Sequence, residues 1–217
     1  YTPFHHQDYQ TIVGKIKAFA ASGDACVLST INGDSNVPFY KEFANQGLSS
    51  EDCPIMAFSV SEDELRAMDV PPLVGHLAAW NYFQSIKTKE NIQFVRTFKT
   101  YCKEKGLPGG SKRVTCDPIE AAYFGVHVWA AACEKAGTFD VDKVRNAVYG
   151  MEFDAPGGKK KMHPNNQHTL KPVYVGEILK NGQFKIVYKS DGLVSPDSYS
   201  TYLHPDGKYP APTGGPK

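Results

Sequence analysis

The sequence predicts an α/β fold: a mostly parallel sheet flanked by helices. Three observations predict it. Apolar runs of strand length recur at 25–28, 54–60 and 73–80. A polar break and a helical apolar pattern separate each run from the next, and this alternation calls for parallel neighbouring strands. Two further runs, at 174–179 and 183–188, flank Asn181-Gly182, the strongest short-range signal for an antiparallel hairpin.

Taken in order, residues 1–7 read as an irregular lead-in, with His5 and His6 as solvated loop residues. Asp8 caps a helix to residue 21, whose apolar stripe is Ile12, Val13, Ile16 and Phe19, and Gly23 ends it. The strand from Ala25 breaks at Asn32-Gly33-Asp34-Ser35, where Gly33 supplies the turn and Asp34 or Ser35 caps the helix carrying Val37, Tyr40, Phe43 and Ala44. The strand from Pro54 ends in Ser59-Val60, and Ser61 with Glu64 forms a capping box for a helix over 62–68. In open α/β sheets, ligands bind at the carboxyl ends of such strands. Both turns carry hydroxyls and carboxylates, so both are candidate site loops.

The strand at 73–80 runs on into an aromatic, polar connector at 81–85. A long helix follows from about Thr88, with Ile92, Val95, Phe98 and Cys102 on one face. Residues 107–113 are a loop by their Pro and Gly content. Asp117-Pro118 with Glu120 opens another helix, Glu120 serving as a cap residue, and it runs to Gly137. Phe139 and Val144 are placed to staple the next helix. Lys159-Lys160-Lys161 reads as a solvated charge run, and from Ser195 the chain reads as an extended tail. The helices after Thr88 have no preceding strands to pack on, so part of the fold is expected from outside these residues, supplied by an N-terminal segment or by a second copy. Tyr1 reads as a processed or truncated end.

Composition excludes several functions. A formal charge of +1 over 217 residues makes no electrostatic case for nucleic acid or a membrane surface. No apolar run approaches the length needed to span a bilayer. The five cysteines show no CxxC spacing and read as buried small hydrophobes, with Cys102 and Cys116 the pair to examine for a disulfide. No phosphate loop, metal-ligand cluster or nucleophile elbow is present, so neither a metal, a cofactor nor an enzyme is expected.

Several motifs occur in the same order in one known family: residues 32–36 (NGDSN), 58–64 (FSVSEDE), 75–85 (GHLAAWNYFQS), 117–123 (DPIEAAY), 137–142 (GTFDVD), 153–156 (FDAP) and 165–172. On these the chain resembles the urea-binding proteins of urea ABC transporters and, more distantly, the short-chain amide sensors. Both are type I periplasmic binding proteins with a two-lobed fold, and the chain resembles their C-terminal half. The resemblance implies that residues 1–79 are the greater part of lobe two and 80–85 an interlobe crossover, with Trp80 and Tyr82 at the hinge. It further implies that 86–169 are the remainder of lobe one, 170–203 a return to lobe two through the hairpin, and 204–217 a tail. It implies a periplasmic or otherwise extracytoplasmic protein that works with the membrane subunits of an ABC transporter. Urea offers four N–H donors and one carbonyl, so its site needs acceptors in a plane and donors on the oxygen. Asp34 and Glu62 are candidate acceptors and Asn32 serves either way. Ser59, Ser61 and the amides after Gly33 and Val60 are candidate donors. The alternative is an interaction or structural protein on this fold that has lost its ligand.

Overall fold

The computed structural model describes residues 1–197 and Pro205. The tail expected at 204–217, and the end of the 170–203 return, lie outside the described residues but for that proline.

The chain runs α1 (Gln10–Ala20), β1 (Val27–Ser29), α2 (Asn36–Asn45), β2 (Ile55–Ala57), α3 (Glu62–Leu65), β3 (Leu77–Trp80), α4 (Lys89–Glu104), α5 (Asp117–Ala136), α6 (Val141–Ala147), β4 (Glu152–Ala155), β5 (Gly158–Met162), β6 (Thr169–Leu170), β7 (Tyr174–Ile178) and β8 (Phe184–Lys189). The main sheet has the order β1-β2-β3-β7-β8. Its first three strands are parallel, as the alternation predicts, and β7 and β8 are antiparallel, so the sheet is mixed rather than mostly parallel throughout. The reason is local: a tight Asn-Gly turn can join only antiparallel strands. Leu77 to Trp80 pair with Glu177 to Tyr174, so the chain leaves the sheet after Trp80 and re-enters it beside the point of departure. A second, antiparallel sheet has the order β4-β5-β6.

The main core lies against one face of the large sheet, the face that carries the paired Ala57 and Ala78 and the paired Ile178 and Phe184. Val13 of α1 and Phe39 and Phe43 of α2 pack with Ile55, Ala78, Ile178 and Phe184. Tyr82 and Phe83 of the crossover join the same core, so these aromatics are packing residues. A smaller cluster holds Phe124, Val128, Ala155 and Met162. Large apolar side chains nevertheless stay exposed on β1 (Leu28) and on α5 (Val126, Trp129).

Several sequence expectations are corrected. The helix at 62–68 is a four-residue helix whose chain then turns toward Pro71. Ile92 is exposed, and α4 instead buries Asn91, Phe94 and Cys102, because the helix faces the crossover with the side that carries Asn91. Neither Asp34 nor Ser35 caps α2. Asn36 closes that turn instead, its side-chain amide donating to the Ile31 and Gly33 carbonyls at 2.9 and 3.2 Å. Cys102 and Cys116 are both free thiols. Lys160 is buried, and Glu120 binds it rather than capping a helix.

Candidate functional site

The two candidate loops are neighbours because β1 and β2 are parallel and in register, Ser29 opposite Ala57. Both chains therefore emerge at the same end of the sheet. The Phe58 amide still donates to the Ser29 carbonyl at 3.0 Å, extending the pairing to the mouths of the loops. The Ser59 hydroxyl then donates to the Ile31 carbonyl and ties one loop to the other.

In the first loop Gly33 takes a left-handed φ of +62°, which a β-carbon would strain, and one turn of 3₁₀ helix at Gly33–Ser35 leads into α2. Asn32, Gly33 and Asp34 are exposed. The Asp34 carboxylate meets the His5 ring at 3.0 Å across open solvent. Ser35 is buried and its hydroxyl has no hydrogen-bond partner. A cavity of about 460 Å³ opens here, between the lead-in (Tyr1, Phe4), α1 (Ile12, Ile16), β1 and the residues Asn32 and Ser35. None of Ser59, Val60, Ser61 or Glu62 lines it.

The second loop is built differently. The Val60 carbonyl accepts from the Trp80 indole at 2.8 Å. The expected capping box is present: the Ser61 amide donates to the Glu64 carboxylate at 2.8 Å, and the hydroxyl bonds the same oxygen. Ser61 and Glu62 are fully buried. One Glu62 oxygen accepts from the Gln84 amide at 2.6 Å, and the other has no partner. Burial pushes the Glu62 carboxyl up to about 8 against the lowering pull of backbone amides, and the Glu64 and Asp117 carboxylates raise it further. Tyr82, also buried, bonds Asn91 and Thr115 at 2.7 Å each.

So the structure brings Asn32, Gly33 and Asp34 together at an exposed turn and Val60, Ser61 and Glu62 together in a buried one, with Ser59 as the link. Sequence reasoning missed Gln84. Besides its amide bond to Glu62, its side chain donates to Gln183 at 2.7 Å and accepts from the Thr115 amide at 2.9 Å. A single Gln in an aromatic connector carries no pattern that marks it as a junction. Among the described residues no group of His, Cys, Asp or Glu is placed to hold a metal ion. Nor is any helix among them long and apolar enough to cross a membrane.

Comparison with known proteins places this geometry. Residues 1–205 match the family model described as the periplasmic binding protein domain. The protein named Leu/Ile/Val-binding protein homolog 6 of Brucella melitensis biotype 1 is 28% identical over 183 residues, covering 82% of this chain and 44% of that one. A solute-binding protein of an ABC transporter from Rhodopseudomonas palustris HaA2, solved with p-hydroxybenzoic acid, superposes with a TM-score of 0.74 at 24% identity, over 89% of this chain and 51% of that one. A leucine-, isoleucine-, valine-, threonine- and alanine-binding protein from Brucella ovis superposes at 0.70 with 15% identity, over 90% and 50%. The chain thus spans about half the length of the relatives it matches. It belongs to the periplasmic binding protein family and carries part of the type I fold.

Proposed function

We propose that this chain belongs to a solute-binding protein that captures urea or a short-chain amide and passes it, chemically unchanged, to the membrane subunits of an ABC transporter. The observation that carries this reading is the pair of loops at the carboxyl ends of β1 and β2, rich in small donors and acceptors and tied by Ser59 to Ile31. The relatives support capture of a small molecule, since their names specify amino acids and a hydroxybenzoate. The choice of urea rests on the motifs at 32–36 and 58–64. In this reading residues 1–79 and 170–203 belong to lobe two, 86–169 to lobe one, and 80–85 cross between them with Trp80 and Tyr82 at the hinge. The protein then works in the periplasm or another extracytoplasmic space.

On one side of the ligand Asn32, Asp34 and the amides after Gly33 supply donors and acceptors. On the other stand Ser59, the Val60 amide, Ser61 and Glu62. Closure over the ligand removes water, so each amide N–H left unpaired costs about 1–3 kcal/mol. Calorimetry of the full-length gene product with urea, acetamide, formamide, leucine and p-hydroxybenzoate tests this. Urea or an amide is expected to bind, and Asn32→Ala and Ser59→Ala each to weaken it about fivefold or more, roughly 1 kcal/mol. Binding of leucine or p-hydroxybenzoate alone would overturn the ligand class. Unchanged affinity in both variants would place the pocket elsewhere.

The second reading, an interaction or structural protein, is favoured by the open edge of β1 and the exposed apolar residues of α5. A second copy of the chain covering them, seen as concentration-dependent dimerisation with no binding of any of the five ligands, is its signature.

A further inference from the structure

Glu62 sits at a seam. Its backbone belongs to the loop after β2, and its carboxyl reaches the crossover, where Oε1 accepts from the Gln84 amide at 2.6 Å. The crossover is held from several sides at that point. Gln84 also bonds Gln183 of the β7–β8 turn and Thr115 ahead of α5, and its carbonyl accepts from Asn91 of α4 at 3.0 Å. A carboxyl therefore joins the sheet to the segment that leads into α4 and α5. The joint is closed to bulk solvent: Glu62 is fully buried, and Oε2 has no hydrogen-bond partner in the protein.

The charged groups that face Glu62 are acids. Glu64 lies on its own helix, and Asp117 stands at the start of α5. The Tyr82 hydroxyl faces it from the crossover and is itself pushed up by burial. The Cys116 thiol, beside Ser61 and Glu64, is held up to about 11 by burial. Lys160 and Lys171 act on Asp117. Burial without a cation favours the neutral acid. An ionised Glu62 would leave Oε2 as buried, unsolvated charge beside two other carboxyls, and water at that oxygen requires the loop and the crossover to part.

We propose that Glu62 is a proton-operated latch between the loop at 59–62 and the crossover at 80–85, closed when the carboxyl is protonated and released when it ionises. The upward push to about 8 places the switch at neutral to mildly alkaline pH. The latch stands on the geometry of the crossover.

Trp80 is a native reporter, because its indole donates to the Val60 carbonyl, two residues before Glu62. The only other tryptophan, Trp129, is exposed and can be replaced by Phe. In the Trp129→Phe protein, Trp80 emission is expected to titrate as one proton between about pH 6 and about pH 9.5, with a midpoint near 8. Glu62→Gln, which keeps the acceptor for the Gln84 amide, is expected to abolish that titration and hold the closed-state emission throughout. A transition that survives Glu62→Gln, or none in the parent, overturns the latch. If Glu62→Gln does not fold, side-chain carboxyl carbon shifts of the parent protein decide: a Glu titrating near 8 supports the latch, and all glutamates titrating in the ordinary acid range sink it.

Discussion

Glu120 takes one ammonium on both its oxygens. Lys160 Nζ lies 2.7 Å from Oε1 and 2.5 Å from Oε2, and both side chains are wholly out of solvent. The pair joins α5 to β5. The Gly157 amide adds a third donor at 3.3 Å, and Nζ lies 4.4 Å from the centroid of the Phe124 ring. Burial pulls the Lys160 ammonium down from its ordinary value, and Glu120 opposes that pull. Removing one partner strands a buried charge, so Lys160→Met alone is expected to cost about 3–5 kcal/mol. Lys160→Met with Glu120→Leu removes both charges and is expected to recover most of that loss. Urea denaturation of the two variants and the parent reads the difference directly. A double variant as unstable as the single one would contradict the account.

His76 gives a pH dependence of opposite sign to that of Glu62. Its Nδ1 accepts from the Ile55 amide at 3.0 Å, and its ring stands edge-on to Tyr40 and Phe43. It is buried, and burial pulls it down to about 4. The unfolded chain takes up a proton near pH 6.5 that the folded chain refuses until about pH 4, so the stability His76 contributes is full above 6.5 and is lost as pH falls through about 4. The expected loss is roughly 3 kcal/mol across that window. Because Glu62 acts in the opposite sense over the same range, the effect is read as a difference: urea denaturation at several pH values should show the parent losing stability relative to His76→Gln as pH falls from 6.5 to 4. A stability difference between the parent and His76→Gln that stays constant between pH 6.5 and 4 would refute the assignment.

Two glycines with opposite surroundings make a third prediction. A β-carbon on Gly176 of β7 would lie 2.9 Å from Phe184 Cβ and 3.0 Å from Phe83 Cζ, in the packed core. Gly176→Ala is therefore expected to cost about 1–3 kcal/mol by overpacking. Gly125 sits inside α5 with nothing within 4 Å of its added β-carbon. Gly125→Ala is expected to gain about 0.5–1 kcal/mol, because alanine is the better helix former. Thermal unfolding ranks them, and equal midpoints for the two variants would argue against this packing.

What could be read in the sequence was what local chemistry determines. The capping box of Ser61 and Glu64, the left-handed Gly137 that ends α5, and the hairpin about Asn181-Gly182 each involve residues a few positions apart, and each is present. The periplasmic binding protein family, though not a urea-binding member of it, was legible for a related reason, since the motifs that suggest it are contiguous segments. The buried lysine was not. A Lys-Lys-Lys strand exposes alternate residues, and which one turns inward depends on a carboxylate forty residues away. The α4 face was misjudged at Ile92 because Asn91, polar by type, is buried to bond the Gln84 and Ile86 carbonyls at 3.0 and 2.7 Å. The surroundings of the two candidate loops depended on burial, which separates exposed Asp34 from buried Glu62 although both are acids just past a strand.

The pairing of Trp80 with Tyr174 also bears on how the chain folds. The three parallel strands can gather early, since each is joined to the next by a short connection. The fourth cannot. Its place beside β3 is filled only when the whole excursion at 81–173 has doubled back, and a contact of such long sequence separation forms against a large loss of chain entropy. Sheet completion is therefore expected to be a late event, timed by the excursion rather than by the strands. Until it happens, β3 is a second open edge in the nascent protein, and it is in that interval that the chain is most exposed to pairing with a stranger.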